Sequence, residues 1–391
     1  MVSKALVVGA YQCKLEELAR QPDIALTVVV PAAWREGRNL VRLERTHTRG
    51  YDLLVAPLAF NGQFHLHFYP TLGRLLRQLR PDILHMDEEP YNLATWLAVR
   101  QGRTVGAGCL FFTWQNLQRR YPWPFSGFER SVHAGAAHAI AGNPTAVEVL
   151  RAKGYRGPVT VIPQFGVDPG IFSPRQVDSH TPTPTRDDDP SSFVVRPSSF
   201  TIGYAGRLVP EKGVDVLLAA CATLPPAPDW TLHVLGDGPD QGRLADIARE
   251  LNIAEKVRFL GRVPSAQTPQ FYQTLDVLVV PSLSRPNWVE QFGRVLTEAM
   301  ACGVPVIGSR SGEIPWVIGD AGRIFPEGDA GTLGSILAEL ADDPDQRAAL
   351  AAAGRARVLA HFTQAQIAAE TTAVYREMLR RPIDQARALV K

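Results

Sequence analysis

Short apolar runs alternate with segments of helical periodicity along most of the chain, and turn-forming residues bound each run. Such runs predict buried strands, and the segments between them predict helices. Strands that alternate with helices build parallel sheets covered on both faces. In the first part of the chain the pattern predicts strands at 5–9, 24–30, 52–56, 83–85, 139–141 and 160–162, and helices at 14–20, 72–79, 93–100, 129–137 and 146–153.

The same alternation begins again at residue 200, so the chain is predicted to be an α/β protein with two doubly wound, Rossmann-like units. A last helix is predicted at 364–379, after a break in the pattern near His361 and Phe362. The second series predicts strands at 200–204, 230–235, 257–260, 277–280 and 304–307, and helices at 213–222, 241–251, 269–274, 294–302 and 332–340.

Residues 173–199 interrupt the pattern between the two series. Five prolines are interleaved there with serines, threonines and three adjacent aspartates at 187–189. This composition predicts an extended or disordered linker. The aspartates could instead belong to a metal-binding D-x-D motif of another transferase fold, but in such a segment a solvated charge run is the interpretation that we prefer.

The composition is that of a soluble globular protein, with 45% apolar and 20% charged residues. A formal net charge of +2 gives no sign of nucleic-acid binding. Four cysteines without disulfide or metal spacing indicate a reducing compartment. We expect a cytoplasmic protein with at most peripheral contact at the inner face of a membrane, because the apolar runs are too short for a signal peptide or a membrane span.

The stretch 281–317 carries the first candidate chemistry. A strand ends at Pro281, a polar loop contains Glu290, and a helix follows that contains Glu298. Free backbone N–H groups at a helix start favour an anion such as phosphate. Two carboxylates beside such a site indicate that the ligand also carries sugar hydroxyls, which carboxylates accept as hydrogen-bond donors.

A second turn, Gly206-Arg207-Leu208 followed by Lys212-Gly213, comes after the predicted strand at 200–204. Arg207 and Lys212 could neutralise a diphosphate leaving group as charge develops on it. The alternative for this turn is a surface connection with solvated cations.

These motifs resemble, in the same order, those of the family 4 (group 1) retaining glycosyltransferases, which have the GT-B fold of two domains facing across a cleft. Glu290 and Glu298, with seven residues between them, are similar to the E-x7-E motif. Gly206 to Gly213 is similar to the donor-phosphate motif, and 235–239 and 312–315 are similar to two glycine-proline loops. The resemblance implies an acceptor domain at 1–172, the linker at 173–199, a nucleotide-sugar domain at 200–362, and a segment at 363–391 whose helix crosses back to the first domain.

The resemblance also implies roles on the donor side. Glu298 would accept the ribose hydroxyls, Glu290 would hold the transferred sugar, and N–H groups near Phe292 and Gly293 would bind the distal phosphate. Gly206 allows the tight turn, and the backbone of Arg262 and Val263 would contact the base. The catalytic candidates are Glu290, Arg207 and Lys212. No metal or other cofactor is expected, because cationic side chains and helix starts replace the metal.

The acceptor side departs from the family pattern at two points. Gly9 stands alone where a glycine pair is common, and Gln115 stands where a histidine is common, so a side-chain base is missing there. His65 and His67 could meet the acceptor or could be hydrogen-bonded loop histidines, and a zinc site lacks a third ligand of suitable spacing. The acceptor-side candidates are Gly9, His65, His67, Glu88, Glu89, Gln115 and Asn116.

Arginines recur at steps of three and four near the start of the chain, which would form one basic stripe if the segment were helical. A basic and aromatic segment at 119–125 adds a second patch. Both could be solvated faces, or could dock on anionic lipid or a polyprenyl-phosphate acceptor. The recurring arginines are Arg35, Arg38, Arg42, Arg45 and Arg49.

The sequence therefore predicts a retaining glycosyltransferase that moves a sugar from a nucleotide-diphosphate sugar to a glycan, lipid-linked or small-molecule acceptor. The alternatives are a non-catalytic subunit that binds a nucleotide sugar and a sugar-nucleotide epimerase of the same fold. An NAD-dependent oxidoreductase is disfavoured, because the turn from Gly203 to Gly206 lacks the G-x-G-x-x-G spacing.

Overall fold

The computed structural model of the chain describes residues 1–37, 39–175, 199–264 and 267–380. They form two compact units, of which the first is discontinuous in sequence. Unit 1 comprises Met1–Gly166 and the segment that starts at Gln364, and unit 2 comprises Val167–Thr363. Most of the predicted linker, including the three aspartates at 187–189, lies outside the described residues.

Unit 1 is built on a parallel sheet. Val2 pairs in parallel with both Val29 and Met86, and so joins a two-stranded part to a four-stranded part. The two-stranded part pairs β1 (Thr27–Val30) with β4 (Asp52–Val55). The four-stranded part contains, in spatial order, β5 (Ile83–Met86), β6 (Gly108–Thr113), β7 (His138–Ala141) and β8 (Val159–Val161).

Helices cover both faces of this sheet. Phe111 belongs to the apolar core on one face, together with Leu76. The neighbouring Leu110 belongs to the core on the other face, together with Leu15 and Ile367. Residues of opposite faces alternate along β6, as the strand pleat requires. The helices of unit 1 are α1 (Cys13–Ala19), α2 (Leu72–Leu79), α3 (Leu93–Thr104), α4 (Phe125–Gly135), α5 (Pro144–Ala152) and α13 (Gln364–Arg380).

The predicted strand at 5–9 is wrong. The segment forms two 3₁₀ turns, Ala5–Val7 and Gly9–Gln12. The Gln12 side chain donates to the carbonyl oxygens of Leu6 and Glu44, at 2.8 and 2.6 Å. The sheet position expected for this segment is held by Val2, so the apolar residues Leu6 and Val7 are buried in a turn instead.

The segment with the recurring arginines is not helical in its described residues, so the condition for one basic stripe is not met. The segment forms an antiparallel hairpin of β2 (Ala33–Glu36) and β3 (Asn39–Arg42). Gly37 has φ +58° in the turn, a conformation that favours a hairpin over a continuing helix. Arg38 lies outside the described residues.

Unit 2 contains a six-stranded parallel sheet with β9 and β12 at its centre. Its strand order is β11-β10-β9-β12-β13-β14, and the chain reverses direction across the sheet between β9 and β12. Parallel sheets bind ligands at the carboxyl ends of the strands at such a reversal. The strands are β9 (Phe200–Ala205), β10 (Trp230–Leu235), β11 (Val257–Gly261), β12 (Val277–Val280), β13 (Val306–Ser309) and β14 (Arg323–Phe325).

Seven α-helices follow or separate these strands in the described part of unit 2. The core around the sheet is mainly apolar, with Ile202, Leu232 and Val279 at 0% exposure. The two parallel α/β units confirm the predicted fold class. The helices are α6 (Val214–Cys221), α7 (Gln241–Glu250), α8 (Thr268–Tyr272), α9 (Arg294–Ala301), α10 (Ile314–Ile318), α11 (Ala330–Asp342) and α12 (Pro344–His361).

Candidate active site

The turn after β9 places Lys212 beside the end of β12. The chain leaves β9 at Gly206, forms a 3₁₀ turn at Pro210–Lys212, and enters α6 through Gly213. Gly213 has φ +64°, and a Cβ atom there would lie 2.1 Å from the carbonyl oxygen of Pro281. Only glycine permits this close approach of the two loops. The Lys-Gly pair is therefore needed for the packing of the two loops as well as for charge.

Lys212 and Glu290 meet in the structure. Lys212 Nζ lies 2.6 Å from Glu290 Oε2, and the Ser282 hydroxyl donates to the same oxygen at 3.0 Å. The ammonium also lies 4.8 Å from the centre of the Trp288 ring. The two predicted side chains thus form one charge pair at the carboxyl ends of β9 and β12, with an aromatic ring beside it.

A glycine loop after β13 fixes the backbone of Glu290. The Glu313 amide donates to the Glu290 carbonyl at 3.1 Å. A Cβ atom on Gly312, which has φ +50°, would lie 2.1 Å from that carbonyl oxygen. The late glycine-proline loop of the sequence therefore supports the loop that carries Glu290.

Helix α9 begins directly after this loop. Gly293, at φ +73°, is its N-cap and has no side chain of its own that could cap the helix. Phe292 is buried and packs edge-on against Phe362. The positive end of α9 is therefore directed toward the segment that contains Glu290.

Glu298 is buried in α9 and held by two donors. Tyr272 Oη donates to its Oε2 at 2.7 Å, and Arg294 Nε lies 2.9 Å from its Oε1. Burial raises the pKa of the Glu298 carboxyl, while Arg294 and Tyr272 oppose that shift. Tyr272 of α8 and Arg294 of α9 therefore hold this carboxylate in one position.

The other donor-side candidates are more exposed. Arg207 has an exposed side chain, and its carbonyl accepts a hydrogen bond from the Tyr204 hydroxyl at 2.8 Å. Arg262 Nε lies 2.6 Å from Asp237 Oδ1 on a largely exposed side chain, and the neighbouring Val263 is half-buried. Contacts of these residues with a nucleotide remain predictions.

Sequence reasoning missed several partners in this site. Ser282, Trp288, Tyr272 and Arg294 were not among the candidates, although each contacts a predicted residue. Ser282 directly follows the strand end at Pro281, which is where polar side chains of a parallel sheet meet a ligand. The position of Ser282 in the sequence could therefore have identified it as a candidate. The sequence around Tyr272 contains no pattern that indicates its contact with Glu298.

Two acceptor-side candidates of unit 1 form a buried ionic cluster. Glu88 Oε2 lies 2.7 Å from Lys4 Nζ and 2.7 Å from His67 Nε2, and the Lys4 amide donates to Oε1 at 3.1 Å. His67 is fully buried and its Nδ1 lies 2.8 Å from the Phe64 carbonyl. Burial opposes the Glu88 charge, but attraction to His67 and Lys4 outweighs it and holds the Glu88 pKa well below its usual range.

Glu89 faces a different set of partners. Its carboxylate accepts the Thr113 hydroxyl at 2.6 Å and the Trp114 amide at 2.8 Å. Burial raises the Glu89 pKa to about 7, and these two hydrogen bonds only partly oppose the shift.

Gln115 and His65 border one aromatic ring. The Gln115 amide donates to the Tyr121 hydroxyl at 3.3 Å, and Lys153 Nζ donates to Gln115 Oε1 at 3.1 Å. The His65 ring lies 5.8 Å from the Tyr121 ring. Partial burial, with His67 and Lys4 nearby, lowers the His65 pKa.

The last two acceptor-side candidates are buried. The Gly9 amide donates to Glu44 Oε2 at 2.6 Å, and Asn116 is 7% exposed. Among the described residues, no group of three or more His, Cys, Asp or Glu side chains could hold a metal ion. None of the helices in the described ranges combines the length and apolar character that crossing a membrane requires.

Two family models match this chain in consecutive regions. The model described as "Glycosyltransferase Family 4" matches residues 15–169, and the model described as "Glycosyl transferases group 1" matches residues 185–357. The second match contains every donor-side candidate named above.

Named relatives match parts of the chain. A GDP-mannose-dependent monoacylated alpha-(1-6)-phosphatidylinositol monomannoside mannosyltransferase of Corynebacterium glutamicum is 38% identical over 41% of this chain and 43% of its own length. A D-inositol 3-phosphate glycosyltransferase of Stackebrandtia nassauensis is 32% identical over 66% of this chain and 59% of its own. The chain spans less than half the length of the first two curated relatives that it matches.

Solved structures share the fold over nearly the whole chain. Anabaena HepE, in complex with UDP, superposes with a TM-score of 0.71 at 19% identity, covering 96% of this chain and 98% of that one. Sucrose-phosphate synthase of Thermosynechococcus elongatus gives a TM-score of 0.65 at 21% identity, over 94% and 92% of the two chains. At less than 25% identity these structures show the fold alone. The two family models, which together match residues 15–169 and 185–357, show that the chain belongs to the group 1 glycosyltransferase family.

Proposed function

We propose that this chain is a retaining glycosyltransferase that moves a sugar from a nucleotide-diphosphate sugar to a hydroxyl of an acceptor. The observation that carries the proposal is the convergence of Lys212, Glu290 and Ser282 at the carboxyl ends of β9 and β12. A cation for the leaving phosphate and a carboxylate for the sugar hydroxyls stand there within 2.6 Å of each other. Family membership supports the same reaction class.

In the proposed reaction the diphosphate replaces Glu290 as the partner of Lys212. The diphosphate carries more negative charge than a carboxylate, and the N–H groups at the start of α9, after its N-cap Gly293, are proposed as further donors to it. Glu290, released from the ammonium, then accepts sugar hydroxyls while Ser282 holds its orientation. Charge that develops on the leaving diphosphate is neutralised by Lys212 and Arg207, so we propose that no divalent metal is needed.

Glu298 is proposed to hold the nucleotide ribose. Its carboxylate is fixed by Tyr272 and Arg294, so it would not need to be ordered when the ligand binds. The leaving phosphate is proposed to accept the acceptor proton on the same face of the sugar. Such a step does not require a histidine at Gln115.

The donor and acceptor are proposed from the relatives. One relative is named as a GDP-mannose-dependent mannosyltransferase of a phosphatidylinositol monomannoside. Others are named as D-inositol 3-phosphate glycosyltransferases. The structural neighbour HepE was solved in complex with UDP. We propose a nucleotide-sugar donor and an inositol-containing or lipid-linked acceptor. Peripheral membrane contact would follow for a lipid-linked acceptor, and the exposed Trp123 beside Arg119 and Arg120 is the proposed contact.

The test is turnover of labelled UDP- and GDP-sugars by the whole chain, with Glu290→Gln as the variant. This change keeps size and removes charge, so we expect kcat to fall by roughly tenfold or more, while the Kd for the sugar-free nucleotide diphosphate should not rise, because the variant no longer competes for Lys212. Turnover should persist in chelator. Near-native kcat in the variant would refute the role of Glu290, and a chain that binds nucleotide sugar without turnover would be the non-catalytic subunit instead.

A further inference from the structure

The segment that leaves β12 is anchored at successive residues. The Ser282 carbonyl accepts the Ser309 hydroxyl at 2.5 Å, which joins the end of β12 to the end of β13. The Leu283 amide donates to the Glu211 carbonyl at 2.8 Å, inside the 3₁₀ turn that contains Lys212. The first residues of the segment are therefore hydrogen-bonded to the neighbouring segment on each side.

Glu327, two residues after β14, holds the next residue of the segment. Its two carboxylate oxygens accept the Ser284 amide and the Ser284 hydroxyl, each at 2.6 Å. The Ser284 hydroxyl oxygen also lies 3.1 Å from the hydroxyl oxygen of fully buried Ser311. Because one carboxylate accepts two donors of the same residue, it fixes the orientation of Ser284 as well as its position.

A short hairpin follows directly. The Arg285 amide donates to the Trp288 carbonyl at 2.7 Å, and the Trp288 amide donates to the Arg285 carbonyl at 3.1 Å. The turn between them contains only Pro286 and Asn287, and the proline ring restricts its backbone. Trp288 therefore lies on a small, restrained element whose base is held by Glu327.

The Trp288 ring faces the site proposed for the donor. The ring is half-buried, and Lys212 Nζ lies over it at 4.8 Å from its centre. The same Nζ lies 2.6 Å from Glu290 Oε2. In the proposed function Lys212 binds the phosphate and Glu290 binds sugar hydroxyls. The sugar ring that connects these groups would then lie beside Trp288.

A sugar ring needs two kinds of partner. Its hydroxyls need hydrogen-bonding groups, which Glu290 supplies, whereas its C–H groups are stabilised by burial against an apolar surface. The face of an aromatic ring is apolar and carries partial negative charge, so it attracts C–H groups as well as an ammonium. Trp288 thus provides the contact that a carboxylate cannot provide.

We propose that Trp288 packs on the C–H groups of the transferred sugar, and that Glu327 is the positioning residue for the hairpin that carries this ring. The inference rests on the proposed function, because it takes the Lys212 site as the donor site. It makes Trp288 a determinant of sugar binding rather than of nucleotide binding.

The experiment measures Kd by calorimetry for UDP and UDP-glucose, and for GDP and GDP-mannose, with the whole chain. For the nucleotide that binds, Trp288→Leu should weaken the nucleotide sugar about tenfold and the sugar-free diphosphate less than about twofold. Trp288→Phe, which keeps an aromatic face, should recover most of the loss. Trp96→Leu is the matched control in unit 1, where a half-buried ring has Arg100 at 4.7 Å, and it should change neither Kd.

The outcomes separate this inference from the proposed function. Equal weakening of the diphosphate and its sugar by Trp288→Leu would show that the ring acts only through Lys212, and would overturn the inference while the donor site stands. Unchanged binding of both ligands would also overturn it. Binding of none of the four ligands by the native chain would refute the proposed function itself.

A double-mutant comparison tests Glu327. Glu327→Ala should weaken the nucleotide sugar by about three- to fivefold, and Glu327→Gln, which keeps one acceptor oxygen, should recover part of that loss. In the Trp288→Leu chain the same Glu327→Ala change should add little, because both residues act through one ring. Fully additive losses, or a loss confined to the diphosphate, would overturn the positioning role.

Discussion

Each unit contains a lysine paired with a glutamate, and the two pairs differ in their surroundings. In unit 1, Lys4 and Glu88 lie 2.7 Å apart with side chains 12% and 1% exposed. In unit 2, Lys212 and Glu290 lie 2.6 Å apart at 21% and 11%. The unit 1 carboxylate has buried His67 as its second partner, whereas the unit 2 carboxylate has the Ser282 hydroxyl, and a half-buried tryptophan lies beside its lysine.

These surroundings indicate that Lys4 and Glu88 form a structural pair, whereas Lys212 and Glu290 form a pair that can exchange partners. The Glu88 oxygens are engaged by donors of the protein itself, so a ligand would have to break a buried network to reach them. Lys212 and Glu290 are more accessible to an incoming anion. Two glutamates that look alike as sequence candidates are therefore expected to respond differently to mutation.

The largest effect is expected for Glu88→Ala. It leaves Lys4 and His67 without their shared acceptor, so we expect the free energy of unfolding to fall by about 3–5 kcal/mol. Urea denaturation followed by fluorescence would measure this. Asp246→Ala, which removes an exposed partner of Arg249, is the control and should cost less than about 1 kcal/mol. Similar losses in both variants would remove the distinction between a buried and a surface pair.

A pH-dependent effect is expected at Glu89. Its pKa rises from 4.5 to about 7 on folding, so between these values the folded state keeps a proton that the unfolded state releases. Stability therefore falls as pH rises through this window, by at most about 3 kcal/mol from this group. Glu89→Gln should lack that part of the decline. Unfolding curves of both proteins from pH 4.5 to 8 would measure it, and parallel pH profiles would contradict it.

Lys212→Ala tests the exchangeable pair. We expect binding of UDP or GDP, whichever the protein prefers, to weaken by about 1.5–3 kcal/mol, with a stability change under about 1 kcal/mol. Lys256→Ala is a matched control, because Lys256 pairs with Asp229 at 3.3 Å and lies 4.7 Å from the Trp230 ring. Calorimetry that finds equal affinity in the two variants would exclude Lys212 as the phosphate ligand.

The smallest effect is expected for Tyr272→Phe. The change removes one hydrogen bond to Glu298 and keeps Arg294, so nucleotide affinity should fall by about 0.5–1.5 kcal/mol. Tyr155→Phe, which loses a hydroxyl bonded to the Pro158 carbonyl in unit 1, should leave affinity unchanged. A larger loss than in Lys212→Ala would indicate that Glu298 dominates the site.

The sequence predicted five of the six strands described in unit 2, because strands buried on both faces appear as continuous apolar runs such as β12, and it missed β14. It also predicted helix α2 at 72–79. It failed at 5–9, where an equally apolar run is buried in turns that Gln12 stabilises through the carbonyls of Leu6 and the distant Glu44. Helix α12 was missed because its alanine-rich sequence has little apolar periodicity and only Gly354 and Val358 are buried.

Candidate residues were predicted where one loop carries them, whereas contacts between distant segments, and the partners Lys4 and Tyr272, were missed. The Glu290 loop and the Lys212 turn each have a local pattern of glycine, charge and helix start. The cluster of Lys4, His67 and Glu88 joins three separate segments, so no local spacing encodes it. The same is true of Tyr272 and Glu298, whose contact depends on the packing of α8 on α9.

The discontinuity of unit 1 has a consequence for synthesis on the ribosome. Ile367, Ala368 and Tyr375 of α13 belong to the same apolar core as Leu15 and Leu110. Roughly 200 residues of unit 2 separate α13 from Gly166, which takes about 10–40 s to translate at typical rates. The first unit to be made is thus the last to be completed. A nascent chain stalled before residue 364 would expose part of that core to chaperones and proteases.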